Sequence, residues 1–514
     1  MLTMTSALDR AERQYGLRIA ITDGEGDFTW AEHVERVRRA AGMLGELGIK
    51  PGTRFGVISE NSYRYMELLH AGYWSGAIPV PINHRLAPPE IRHILDDAEI
   101  ECLFLGEEYL GLADADDVAP WRDRLVYVGA PLTECSYPQY EALLGEAPAA
   151  EAAQSGDEDL ALLLYTGGTT GKSKGVRLSH KNVCANGMQV HMAMGVRTDD
   201  VFLHAAPMFH AADLLGTAFT LCGGAHAFLP VFSGKEALQA LQELEITVSF
   251  LAPTMIIMIL QEPDFDKFDL TKFRLIFYGS SPMAAEWVQR CIERFEGTEI
   301  QQGYGLTETS PILTTLDPID HVRAVETGNT DILRAAGRPV AGVDLRIVDD
   351  DGNSVREGEP GEVAVRGPNV TTGYLNRPDV NETAFQDGWF FTGDFGRVDE
   401  NGVLFLLDRK KDMVITGGEN VYTSEVEAAL YQHPDVHEAA VVGVPDTKFG
   451  EALFAVIVPA PGKTLTSSDI IEHCRGRIGG YKIPRQMDFI TEMPKSAMGK
   501  ILKTELRDRY GPQD

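Results

Sequence analysis

From Trp30 onwards the apolar positions Trp30, Val34, Val37, Ala41, Leu44 and Leu47 recur at the three- and four-residue spacing of one helical face. Thr29 with Glu32 three residues later gives a capping-box signature at the head of that run, and Gly48 and Pro51 close it. Directly afterwards, residues 54–59 read as a short apolar strand, 66–75 as a second helical stretch and 77–82 as another strand. The rhythm returns in apolar runs at 102–105, 125–128, 161–165, 201–206, 247–252 and 275–278, with helical segments between several of them. Strands that are apolar throughout and alternate with helices predict parallel sheets covered on both faces, hence an α/β body. From about Asp344 the pattern changes. Short strands at 345–348, 362–366 and 403–407, with turn residues such as Asp350-Asp351-Gly352-Asn353 between them, predict a small antiparallel β unit. After the charged run Asp408-Arg409-Lys410-Lys411-Asp412, helices and strands mix again, with strands expected at 439–444 and 453–458. The expected organisation is a large N-terminal body, residues 1–410, and a small α+β C-terminal domain, residues 411–514.

A chain of 514 residues has room for both. Lys and Arg number 46 against 76 Asp and Glu, a net charge of −30. Such a balance gives no general attraction to nucleic acid or anionic lipid, so a phosphate-bearing ligand needs a local device that overrides the global field. The six cysteines are scattered without a CxxC pair or a histidine at metal-ligand spacing, which argues against a disulfide framework or structural zinc and for a reducing cytoplasm. Residues 1–19 carry no apolar run of the signal-peptide kind, and the apolar stretch 250–260 falls short of the ~18 residues of a membrane span.

The local device is a loop. After the apolar run 160–165 come Thr166, Gly167, Gly168, Thr169, Thr170, Gly171, Lys172, Ser173, Lys174 and Gly175. Glycines let successive N–H groups turn inward, hydroxyls add donors and two lysines add charge, which makes a nest for a polyphosphate. Gly171-Lys172-Ser173 matches the end of a Walker A loop, but the first glycine of that motif would fall on Thr166. A ligand-free surface turn is the plain alternative, and the donor density after an apolar strand argues against it. The run Tyr165–Gly175 resembles the phosphate loop of the adenylate-forming enzymes, the superfamily of acyl-CoA synthetases, luciferases and peptide-synthetase adenylation domains. Gly168 and Ser173 depart from the commonest form, which has serine and proline there.

Further matches follow in the superfamily's order. Gly303-Tyr304-Gly305-Leu306-Thr307-Glu308-Thr309 resembles its second nucleotide motif. The resemblance implies that Tyr304 stacks on adenine, Thr307 bonds the α-phosphate and Glu308 holds Mg2+. Tyr278-Gly279-Ser280-Ser281-Pro282 resembles the strand end that lines the adenine and acyl sites by its backbone, and Pro207-Met208-Phe209-His210 the segment that gates the acyl pocket. His210, Thr254 and Gly305 are thereby assigned to that pocket; Asp213 lies near it, at a cost unless paired. Asp394, after Thr392-Gly393, and Arg409 resemble the ribose clamp, since a carboxylate can accept from both hydroxyls of a diol. Lys411 matches the hinge position, Gly417-Gly418-Glu419-Asn420 the segment that meets CoA, and Lys500, closing the run from Pro494, the catalytic lysine.

The resemblance implies ATP, Mg2+ and CoA as the small-molecule partners. A carboxylic acid is first converted to acyl-AMP with release of pyrophosphate, and its acyl group then passes to CoA with release of AMP. It also implies that the C-terminal domain is mobile and rotates about the hinge between the two steps. Medium- or long-chain fatty acids rank first as substrate and aromatic acids second. An acyl-AMP ligase that loads a carrier protein, a non-catalytic nucleotide-binding protein and a luciferase-like oxidative activity are the alternatives. No nucleic-acid partner and no integral membrane segment are expected, and a homodimer is left open.

Overall fold

The computed structural model describes residues 2–23, 26–166, 173–281, 283, 285–328, 330–416, 419–446, 448–496 and 500–511. Its contacts divide the chain into two compact units, residues 1–344 with 365–390, and residues 345–364 with 391–514. Residues 345–364 and 391–410 therefore group with the C-terminal segment, and the boundary expected after Lys410 falls inside the second unit.

Within the first unit the helix Trp30–Glu46 starts as the sequence predicts. Thr29 N–H donates to Glu32 Oε2 at 2.8 Å while Glu32 N–H donates to Thr29 Oγ1 at 3.3 Å. Its apolar face buries Trp30, Val34, Val37, Ala41 and Leu44. Among the described residues the largest sheet has nine strands. Six of them, Ile19–Asp23, Ala225–Phe228, Val201–His204, Val248–Leu251, Leu275–Gly279 and Glu299–Gly305, run parallel in that spatial order. A second, four-stranded sheet is wholly parallel: Ile78–Pro81, Arg54–Ile58, Cys102–Leu105 and Leu125–Tyr127. The apolar run at 161–165 departs from the parallel pattern. Its strand, Leu160–Thr166, pairs antiparallel with Lys174–Ser179 on the far side of the glycine-rich loop, because a connection that short can close a hairpin but not a parallel crossover.

In the second unit Trp389–Val398 pairs antiparallel with Leu404–Arg409 in a sheet that also holds Asp344–Val348 and Gly361–Arg366. Another sheet is built on two long antiparallel strands, Val436–Asp446 and Gly450–Pro459, with Val414–Thr416, Glu419–Val421 and Gln486–Phe489 beside them. Helices Thr423–Tyr431 and Ser467–Cys474 pack Val426, Leu430, Ile470 and Cys474 into its core. No described helix is long and apolar enough to cross a membrane.

Candidate active site

Parallel pairing sets the carboxyl ends of four strands side by side. Ser249 lies opposite Leu203, Leu251 opposite Tyr278, and Gly279 opposite Gly303. Ligands of open α/β sheets bind beyond that edge, and most of the residues expected in the body emerge there. His210 follows the strand Val201–His204, Thr254 stands in the first turn of the helix Pro253–Leu260, and Ser280 and Ser281 follow Gly279. Thr307 and Glu308 follow Gly305. Two glycines are required by close approach. A Cβ on Gly279 would come within 2.4 Å of the Gly303 carbonyl oxygen, and one on Gly305 within 1.8 Å of the Pro311 carbonyl oxygen. Ser280 takes a left-handed φ of 69° at the turn. His210 accepts from the Ala212 N–H at 3.2 Å through Nδ1, capping the turn Ala211–Gly216. In that turn Asp213 is paired with His204 Nδ1 at 2.5 Å, which offsets the cost of burying its carboxylate. Tyr304 is buried and Thr307 half-buried.

The flanks of the glycine-rich loop are anchored from outside it. Tyr165 Oη donates to Asp97 Oδ2 at 2.6 Å, and the Ser173 carbonyl is bonded to His93 Nε2 at 3.0 Å. Thr166 and Lys174 face each other as the last and first residues of the paired strands. Lys174 and Glu308 are both met by one segment outside the motifs named above, residues 368–375. Its backbone lies along the strand Lys174–Ser179: Leu375 N–H donates to the Gly175 carbonyl at 2.8 Å, and Arg177 N–H to that of Gly373 at 3.2 Å. The same segment laces the turn after Gly305. Thr371 N–H donates to the Glu308 carbonyl at 2.8 Å, and Asn369 Nδ2 donates to the carbonyls of Thr309 and Ile312 at 2.8 and 3.0 Å. Glu308 is only 8% exposed, and its Oε1 accepts a 2.7 Å hydrogen bond from Tyr374 Oη. Lys174 Nζ stands over the Tyr374 ring, 4.7 Å from its centroid. Asn369, Thr371 and Tyr374 were missed by sequence reasoning because the segment has neither periodicity nor a charged cluster; only Gly373-Tyr374 after two threonines hinted at a turn.

In the second unit the structure brings together Asp394, Arg409 and Lys500. Asp394 lies directly opposite Arg409 in the strand pair, and Arg409 Nε meets Asp394 Oδ1 at 2.6 Å. Asp394 is buried, and the turn before it is fixed by Gly393 N–H donating to Glu362 Oε1 at 3.1 Å. Lys500 keeps exposed surface, yet the protein around its ammonium lowers its pKa from the ordinary lysine value. The Arg409 guanidinium lowers it further, while Asp394 and Asp412 oppose the shift. Lys411 is likewise pushed down to about 8, chiefly by desolvation and then by Arg409, Lys500 and Arg507, against the pull of Asp412. Gly167, Gly168, Thr169, Thr170 and Gly171 of the loop, and Gly417 and Gly418 of the expected CoA segment, lie outside the described residues.

Family comparison adds to this geometry. The family model described as AMP-binding enzyme matches residues 8–375, and that of the AMP-binding enzyme C-terminal domain matches residues 425–500. The chain is 36% identical over 495 residues to a feruloyl-CoA synthase of Amycolatopsis sp, covering 96% of each chain. It is 33% identical over 486 residues to the long-chain-fatty-acid–CoA ligase FadD13 of Mycobacterium tuberculosis, covering 94% and 93%. Among solved structures it resembles the anthranilate CoA ligase AuaEII in complex with anthranoyl-AMP, with a TM-score of 0.89 and 28% identity over 99% and 97% of the two chains.

Proposed function

Because this chain belongs to the AMP-binding, adenylate-forming enzyme family and is an AMP-forming acid–thiol ligase, we propose that it activates an aromatic carboxylic acid with ATP and transfers the acyl group to CoA. The observation that carries the adenylation chemistry is the cluster at the carboxyl edge of the sheet. There a buried carboxylate, Glu308, and the phosphate-loop cation Lys174 meet on one tyrosine. His210, Thr254 and Gly305, at the ends of neighbouring strands, line the acyl pocket in this reading; Gly279, Ser280, Ser281 and Tyr304 receive the adenine, and Asp394 with Arg409 receives the ribose. Gly417 and Gly418 approach the pantetheine arm.

A substrate carboxylate must attack the α-phosphorus of ATP, like charge against like charge, so neutralisation precedes chemistry. Thr166, Gly167, Gly168, Thr169, Thr170, Gly171 and Lys174 bind the phosphates, and Thr307 bonds the α-phosphate. Among the described residues no cluster of three His, Cys, Asp or Glu side chains could hold a metal by itself. Glu308 suits magnesium, which typically takes one or two carboxylates and completes its shell with phosphate oxygens and water; bound there, the ion would supply positive charge beside the phosphates. Lys500 adds a further charge to the developing transition state and has no role once acyl-AMP is made. In the second step the CoA thiol attacks the acyl carbon, the acyl–phosphate bond breaks and AMP leaves. Rotation about Lys411 exchanges the two sets of groups.

Aromatic acids move ahead of fatty acids because the feruloyl relative is the more similar of the two curated proteins compared and the anthranilate ligase shares the fold over nearly the whole chain. Pyrophosphate release measured over ferulate, indoleacetate, anthranilate and fatty acids of graded length tests this, with free CoA or a holo carrier protein as acceptor. The expected outcome is that an aromatic acid with free CoA gives the highest kcat/KM by roughly tenfold or more, the scale of pocket discrimination. A fatty acid or a carrier protein in first place would contradict it.

A further inference from the structure

Tyr374 belongs to none of the motifs named above, yet it meets both Glu308, the carboxylate assigned to magnesium, and Lys174, a cation assigned to the phosphates. Its residue is 6% exposed, and its backbone is held on both sides. Tyr374 N–H donates to Asn381 Oδ1 at 2.8 Å, and Asn381 Nδ2 donates to the Tyr374 carbonyl at 2.9 Å. Its ring meets Phe385 edge-on, with centroids 6.1 Å apart and planes at 64°. From this fixed frame the hydroxyl reaches Glu308 Oε1 at 2.7 Å, and the ring face presents itself to Lys174 Nζ. Among the described residues no donor is bonded to the other carboxylate oxygen, Oε2. One oxygen is thus tied to the protein and the other remains for a ligand.

We propose that Tyr374 is a positioning residue of the adenylation half-reaction, fixing the Glu308 carboxylate through its hydroxyl and Lys174 through its ring. The proposal rests on the reading of Glu308 and Lys174 given above. A glutamate has three side-chain torsions, and a site assembled on ATP binding would have to restrict them at that moment. A carboxylate already oriented by a clamped phenol avoids that cost. The lysine gains in the same way, since its ammonium rests on an aromatic face from which a polyphosphate, a far stronger partner, can draw it.

The test separates the hydroxyl from the ring. With the fastest acid of the panel, Y374F is expected to slow pyrophosphate release roughly ten- to hundredfold, the scale of one hydrogen bond to a charged group. It should also raise the magnesium concentration at half-activation and leave thioester formation from supplied acyl-AMP unchanged. Calorimetry without the acid is expected to show weaker binding of ATP in magnesium than for the unmodified chain, with metal-free ATP binding nearly equal. Y374A should weaken metal-free ATP binding as well, because it also removes the face under Lys174. Equal slowing of both half-reactions together with a lowered melting temperature would assign Tyr374 to structure alone and overturn the proposal. E308Q distinguishes the two levels. If E308Q abolishes adenylation while Y374F behaves like the unmodified chain, the positioning role falls and Glu308 keeps its own. If E308Q stays active, the reading of Glu308 falls and the proposal with it.

Discussion

Four imidazoles, those of His33, His70, His180 and His226, have their pKa lowered chiefly by burial, to about 3 for His70 and about 4 for His180. Each is nearly inaccessible to water and is held neutral. An unfolded chain protonates such a residue near pH 6.5 and the folded chain does not, so stability conferred by these groups is present above pH 6.5 and is lost as pH falls below it. The slope is about 1.4 kcal/mol per pH unit for each group. Urea unfolding midpoints should therefore drop steadily from pH 7 to pH 5, before most carboxylates titrate, and a flat profile in that window would contradict neutral burial. None of the four was legible as special in the sequence, because an isolated histidine in an apolar stretch has no pattern. Glu308 was singled out through the resemblance of Gly303–Thr309 to a family motif. Tyr374 was not, because its partner is 66 residues away and a tyrosine among threonines signals nothing locally.

At the scale of elements, the helix Trp30–Glu46 could be read from its capping box and apolar stripe because a helix records burial in local spacing. Trp389–Val398 could not. Its buried face carries Phe390, Thr392, Asp394 and Gly396, so the two-residue alternation exists in burial but not in hydropathy. Of the polar members, Asp394 is the one assigned to the ribose, while the Thr392 hydroxyl donates to the Val363 carbonyl at 2.9 Å. The ties around the expected hinge carry a prediction. Asp408 Oδ2 accepts both the N–H and the hydroxyl of Thr423, each at 2.6 Å, and the Ser424 hydroxyl donates to the Leu407 carbonyl. These bonds join the strand Leu404–Arg409 to the helix Thr423–Tyr431 across Lys411, and the proposed rotation must break them. D408A should speed single-turnover thioester formation from supplied acyl-AMP roughly tenfold, as loss of charge-assisted hydrogen bonds allows. An unchanged or slower rate in rapid quench would count against rotation at this point.

For the molecule as a whole, the sequence conveys the α/β body, while the grouping of residues 345–364 and 391–410 with the C-terminal segment depends on long-range packing. Charge patterning marked residues 408–412 as a boundary because exposed linkers are charged, and a strand end that carries ion pairs looks the same. Lys410, for instance, bonds Asp350 at 3.0 Å and Glu362 at 3.1 Å within the second unit. The net charge of −30 makes the central electrostatic claim demanding, since a polyanionic nucleotide must be held against it by a few local groups. Lysine about 4 Å from a developing charge contributes on the order of 4 kcal/mol at an effective dielectric of about 20, and each 1.4 kcal/mol is roughly tenfold in rate. The direct measurement is K500A assayed in the two half-reactions separately. Pyrophosphate release is expected to fall by roughly several hundredfold or more while thioester formation from supplied acyl-AMP stays at the rate of the unmodified chain. Equal damage to both steps, or none to the first, would contradict it.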